Sequence, residues 1–232
     1  DLFFVGRATA KKLFDLGIKT IGELAAADPM WLKGILKKQG EVIWGFANGV
    51  DVSPVLAEPP ANKGYGNSTT TPYDVTDVET ADRVLLALAE TVGYRLRTDN
   101  VQASVVAVGI RYADLSYVSH QTVLKTATNL TWEIYQAACR LFLELWDHRP
   151  IRHLGIHTSR VREDGFFRQT TLFDEIDYEK LEKVDKTVDA LRERYGMDTV
   201  MRATFLRQPI DHMSGGISRE KRTVDYDKVK VQ

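Results

Sequence analysis

The apolar residues between Lys63 and Arg162 change period in a set order, and that order limits the fold more than any other feature of the chain. "KGYGNSTTT" is rich in Thr and Gly and suits an edge strand. Val78, Ala81, Val84, Leu85, Leu88, Val92 and Leu96 then recur at three- and four-residue steps, which predicts a helix from about Asp77 to Asp99. The β-branched "VQASVVAVGIRY" and the following "SYVSHQTVL" predict two strands joined by a tight "ADL" turn. Ile134, Ala138, Leu141, Phe142 and Leu145 lie on one stripe of a second helix, from about Asn129 to Asp147, and "IRHLGIHTSRV" reads as a last strand. The sum is an α+β unit of order βαββαβ, a ferredoxin-like split layout with a four-stranded sheet and both helices on one face.

Such a layout leaves the other sheet face bare, with polar residues alternating against buried ones. Depending on register, Ser104, Ser119, Gln121, Arg152 and His157 are expected there. Hydroxyl, imidazole and guanidinium groups on an open face suit a phosphate backbone. A merely solvated face is the competing reading.

The first fifty residues read as four short helices. Gly17 suits a left-handed C′ position, Thr20 and Glu23 form a capping-box pattern, and Asp28-Pro29 marks a further start. Gly40 and Gly49 are expected to close the next two segments. Leu13, Leu16, Ile18, Ile21, Leu24, Leu32, Ile35, Ile43 and Trp44 would hold these helices together, because helices this short do not stand alone. "DVSPVLAEPPAN", residues 51–62, is a proline-bearing linker between a domain at 1–50 and one at 63–163. Residues 164–206 then carry a charged helix whose apolar stripe is Leu181, Val184, Val188 and Leu191, and 207–232 reads as a polar, irregular or disordered tail.

A net charge of −1 confines any nucleic-acid footprint to a local patch. One cysteine, Cys139, excludes disulfide frameworks and cysteine-cluster zinc sites, and its helical setting suggests a buried structural thiol. No apolar run reaches the roughly 18 residues of a membrane span and no secretory signal is visible, so a cytoplasmic location is expected; the fragment is also expected to be a monomer. The opening "DLFFVG" begins inside an apolar segment without Met and reads as a cut from a longer chain.

"FFVGRATAKKLFDLGIKTIGEL" has the form of a helix-hairpin-helix, which offers backbone N–H groups at a tight turn to a phosphate. Val5-Gly6-Arg7 would be the turn, Ala8, Thr9 and Ala10 would supply amides, and Lys11 and Lys12 would add charge. The usual form has two glycines two residues apart, and Phe4 stands where the first is expected.

That motif, the linker, "KGYGNS", "RYAD", "RPIRHLGI" and "QTTLF", taken in this order, resemble the C-terminal part of Y-family, lesion-bypass DNA polymerases of the bacterial mutagenesis type. The first domain looks like their thumb and the second like their little finger. The resemblance implies DNA-backbone contacts at Val5, Gly6, Arg7 and Thr9 in the first domain. In the second it implies contacts at Lys63, Gly66, Ser68, Thr69, Ser119, His120, Gln121, Arg152, His153 and His157. Relatives often carry Arg or Lys where this chain has His120 and His153, so DNA binding is expected to be weaker and to strengthen as pH falls.

No catalytic residue or resident metal is expected here. Asp174-Glu175 and Asp225/Asp227 fall in linker and tail, and Mg2+ is expected only for the full-length polymerase, whose carboxylates precede the thumb. The resemblance thus implies a grip on primer–template DNA. A clamp-tethered adaptor without polymerase activity is the alternative, and an RNA-binding βαββαβ domain is disfavoured by a lack of stacking aromatics on the strands.

"QTTLF" matches the bacterial sliding-clamp ligand pattern, in which a Gln fixes one end and a Leu-Phe pair fills an apolar pocket. Gln169, Leu172 and Phe173 are therefore the expected clamp contacts, with packing of the pair onto the following helix as the rival. The double substitution Leu172→Ala/Phe173→Ala should abolish binding to purified clamp in a titration, and equal affinities would refute the assignment.

Overall fold

Capping residues place the first four helices. α1 spans Arg7–Asp15 and ends before Gly17, whose φ of 87° is open to glycine without strain. α2, Ile21–Ala26, starts at Thr20, whose hydroxyl accepts from the Glu23 amide while the Glu23 carboxylate accepts from the Thr20 amide. α3, Pro29–Leu36, has Pro at its first turn and the Asp28 carboxylate accepting from Met30 and Trp31. α4 is Lys38–Ala47. The computed structural model describes residues 1–55, 57, 60–163 and 176–213. It divides into two units, Asp1–Pro60 and Ala61–Gln232.

The core of the first unit is Leu13, Ile18, Leu24, Leu32 and Ile43, whereas Leu16, Ile21 and Ile35 stay exposed. Gly40 does not close a helix. The chain breaks instead at Lys37, with φ 57°, and Gly40 lies buried inside α4, where a Cβ would stand 2.4 Å from the Leu32 carbonyl oxygen. Its lack of a side chain lets α4 cross α3 closely.

The second unit has the order β1 (Gly64–Val75), α5 (Val78–Thr98), β2 (Val101–Tyr112), β3 (Tyr117–Thr128), α6 (Thr131–Leu145), β4 (Ile151–Glu163) and α7 (Tyr178–Tyr195). The sheet is antiparallel throughout, in the order β1-β4-β2-β3. α5 carries the chain from β1 to β2 across β4, and α6 carries it from β3 to β4 across β2. Pro72 falls where β1 breaks register with β4, a position an edge strand tolerates. Val84, Leu85, Leu88, Val92 and Leu96 of α5 and Ile134, Ala138, Leu141 and Phe142 of α6 pack on Val106, Val108, Ile110, Leu154 and Ile156 of the sheet. Cys139 is half-buried in this layer, and burial together with the Asp82 carboxylate pushes its thiol up to about 12.

α7 docks by charge rather than by the expected apolar stripe. Val184 and Leu191 remain exposed, while Asp185, Asp189 and Arg192 are buried. Arg97 of α5 forks onto Asp189 (2.5 and 3.1 Å) and reaches Asp185 (3.1 Å). Glu90 of α5 accepts from Arg192 at 2.8 Å and from Arg202 at 2.6 Å. The first residues of the expected polar tail, 207–213, form turns and bends without helix or strand. Phe205, Ile210, His212 and Met213 are buried, so the chain packs on this unit as far as 213. Residues 214–232 lie outside the described residues.

Glu90→Ala leaves the Arg192 guanidinium buried beside no carboxylate. The variant should lose about 3–5 kcal/mol of stability in thermal or denaturant unfolding.

Candidate nucleic-acid interface

Register decides which side chains share the open face. Residues directly paired across strands point the same way, and successive residues point oppositely. Val106, Val108 and Ile110 lie under the helices, so Val105, Ala107, Gly109 and Arg111 face outward. Pairing extends this set into rows across all four strands. One row is Gly66, His157, Ala107 and Gln121. The next is Ser68, Gly155, Gly109 and Ser119, and the third is Thr70, His153, Arg111 and Tyr117.

The middle row is built only of glycine and serine, and its floor is nearly bare backbone. It runs along a depression of about 630 Å³ whose lining includes Ser68, Gly109, Ser119, Gly155, His153 and His157. The His157 ring lies over the edge strand, where a Cβ at Gly66 would come within 2.6 Å of its Nδ1. Tyr117 lies over Gly109. Thr70 Oγ1 and His153 Nδ1 are 3.1 Å apart. Burial, and then the charge of Arg111, hold the His153 imidazole below its ordinary value of 6.5.

Six of the expected second-domain contacts thus share one surface: Gly66, Ser68, Ser119, Gln121, His153 and His157. Thr69 and His120 do not. Thr69 pairs with Leu154 and His120 with Val108, so both point to the helix side of the sheet. Lys63 precedes β1 and is exposed. Arg152 falls at a register shift, exposed, with Nη1 3.8 Å from Asp74 Oδ1. Arg111 was not singled out from sequence, although alternation from Val106, Val108 and Ile110 places it outward. The expectation of strands without aromatics is corrected by Tyr117.

In the first unit, Gly6 is the N-cap of α1 in extended geometry, and the first helical amides follow at Arg7, Ala8 and Thr9. Phe4 occupies the left-handed region at φ 65°, the backbone state for which a glycine is suited, and its carbonyl accepts from Gln39 Nε2 at 2.9 Å. Its ring packs edge-on against Phe3 and near Phe46, so the side chain that strains the turn also buttresses it. Gln169, Leu172 and Phe173 lie outside the described residues.

Comparison with known proteins fits this geometry. Residues 62–172 match the impB/mucB/samB family C-terminal domain. DNA polymerase IV of Clostridium acetobutylicum is 38% identical over 208 residues, 90% of this chain and 52% of that protein. DNA polymerase IV 1 of Bacillus subtilis is 35% identical over 210 residues, 90% of this chain and 51% of that protein. The chain therefore spans about half the length of the curated relatives it matches. A solved Y-family DNA polymerase chimera, Dbh-Dpo4(243-245)-Dbh, superposes with a TM-score of 0.52 at 20% identity, covering 68% of this chain and 46% of its own. Most of the second unit is accordingly a C-terminal domain of the impB/mucB/samB family. The chain is similar to the DNA polymerases IV over nearly all of its length, and it shares its fold with a Y-family DNA polymerase.

The sign of the His153 shift sets a pH test. With its value depressed, the unfolded chain takes up the proton first, so this group lowers stability as pH falls below about 6.5. A phosphate above the ring favours the protonated form and reverses that preference in the complex. DNA affinity at fixed salt should rise as pH falls from 8 to 5.5, with proton uptake on binding. His153→Gln should reduce the rise, and a profile unchanged by the substitution would exclude the role.

Proposed function

We propose that the chain is the DNA-gripping C-terminal part of a lesion-bypass polymerase, holding primer–template duplex by its backbone. The observation that carries this reading is the middle row of the open face, Ser68, Gly155, Gly109 and Ser119, flanked by His157 and Gln121 on one side and His153 and Arg111 on the other. Small residues allow a sugar-phosphate strand to approach main chain, while imidazole and guanidinium supply charge and hydroxyls supply hydrogen bonds. Backbone contact carries no sequence information, and indifference to sequence is what a polymerase requires of its grip. The N-terminal amides of α1 beside Arg7 are assigned a second backbone contact, made by a thumb-like first unit. Gln169, Leu172 and Phe173 are assigned to the sliding clamp on their sequence pattern and their place after the little finger. The names of the relatives support placing this grip in a DNA polymerase, and its assignment to translesion synthesis follows the sequence resemblance.

Nucleotidyl transfer on Mg2+ is assigned to the full-length polymerase. The described residues do not fit those ions: their single cluster of three metal-type ligands, Asp198, Asp211 and His212, has two carboxylates and one imidazole. The chain's own contribution is to orient duplex, not to hold the reacting phosphates.

Backbone binding is tested by salt dependence. Arg111→Ala should lower the magnitude of the slope of log K against log salt by about 1, and should weaken binding alike for duplexes of different sequence. A loss confined to one sequence in fluorescence anisotropy would point to base readout and overturn the reading.

A further inference from the structure

Past α7 the chain turns at Gly196, runs through a 3-10 turn at Ala203–Phe205, and returns at Asp211 and His212 beside its own starting point. His212 is 2% exposed, in a segment anchored by the buried side chains of Phe205 and Ile210. Its two ring nitrogens face oxygen on both sides. Nδ1 is 3.1 Å from Asp211 Oδ1, and Nε2 is 3.0 Å from the Met197 carbonyl oxygen. Asp198 Oδ1 stands 3.7 Å from the same Nε2. Carbonyl and carboxylate oxygens accept hydrogen bonds, and a neutral imidazole has one N–H. Either tautomer therefore leaves one ring lone pair directed at an oxygen, in a place sealed from water.

A second ring proton would resolve this conflict, and so would a metal ion, for which the oxygens select the nitrogen. Two of them converge on Nε2, one charged. Asp211 is then placed to accept from Nδ1–H, the arrangement by which a carboxylate fixes the tautomer of a metal-binding histidine. Ligands around a tetrahedral ion at 2.0–2.1 Å lie about 3.3 Å apart. The separations of 3.0 and 3.7 Å from Nε2 fall on either side of that value. One atom each of Asp198, Asp211 and His212 lies within 4.8 Å of the others. An imidazole nitrogen among oxygens suits zinc, cobalt or nickel rather than magnesium or calcium.

We propose that His212 Nε2, the Asp198 carboxylate and the Met197 carbonyl bind a divalent ion of the zinc class, with Asp211 orienting the imidazole. The ion is structural. It joins the residues just after α7 to those at 211–212, and so fastens the segment that places Phe205 and Ile210 in the hydrophobic core of the second unit. The site is independent of the DNA-binding reading, since none of its residues belongs to the open face.

The test uses the whole chain, stripped with chelator and titrated with Zn2+ or Co2+ alone. One equivalent of Co2+ should bind and produce a visible ligand-field band, and excess Zn2+ should displace it. Zn2+ at a hundredfold excess over Kd should raise Tm by roughly 5–10 °C, whereas Mg2+ should not. His212→Ala should lose both effects. Asp198→Asn, at a side chain on the outer rim of the site, should keep the fold and weaken binding at least roughly tenfold. The chain has four other histidines, so a band or Tm rise that survives both substitutions places the metal elsewhere and overturns the proposal. Imidazole ¹⁵N spectra give a readout independent of folding. Two ring N–H signals from His212 that persist in saturating Zn2+ would show a proton where the ion is proposed, and would equally overturn it.

Discussion

The antiparallel pairing of β2 with β4 governs the second unit. Both strands are central, and each side chain on them has only two directions available. Once Val106, Val108 and Ile110 pack with Leu154 and Ile156 beneath α5 and α6, the residues between them have no choice but to face away. The edge strands inherit that division through their own hydrogen bonds. A one-residue slip of β3 would exchange Ser119 and Gln121 for His120, turning hydroxyl and amide inward and imidazole outward. The chemistry of the open face is therefore a consequence of core packing on the opposite side of the same strands.

Charge plays a different part on the helix side. Glu90, Asp185, Asp189 and Arg192 are buried and the Arg97 side chain is only 7% exposed, an arrangement that is costly to desolvate and more costly to interrupt. It contributes specificity of docking. An apolar stripe could sit on α5 in several registers, whereas the fork of Arg97 onto Asp189 accepts one. Glu90 binds both Arg192 in α7 and Arg202 beyond it, so the helix and the following segment are seated by one shared carboxylate.

What could be read from sequence follows the range of the forces involved. The capping box at Thr20, the Asp28-Pro29 start and the limits of α5 and α6 depend on neighbours within a turn or two, and they were legible. The element order was legible because periodicity needs no knowledge of partners. Gly40 was not, since its role depends on the Leu32 carbonyl of another helix. The face taken by His120 required the β2–β3 register, and the ionic seat of α7 required Arg97 and Glu90, about ninety residues earlier in the chain. Arg111 was within reach of simple alternation from Ile110. The Asp198–His212 cluster gave no signal of its own, because thirteen residues separate its members and no ligand-spacing motif covers them.

The glycines of the open face carry a further consequence. In most domains the buried residues are the ones that tolerate least change, and the surface drifts freely. Here the ordering is partly inverted. A valine for an isoleucine beneath the helices removes one methyl group and leaves the fold intact, at about 1 kcal/mol. A methyl group added at Gly66 meets His157 at 2.6 Å, and one at Gly155 meets the Ser68 Cβ at 3.0 Å, although both positions border solvent. The floor of the depression is thus shaped by what is missing from it. Substitutions that look harmless by exposure would displace the side chains that line the depression.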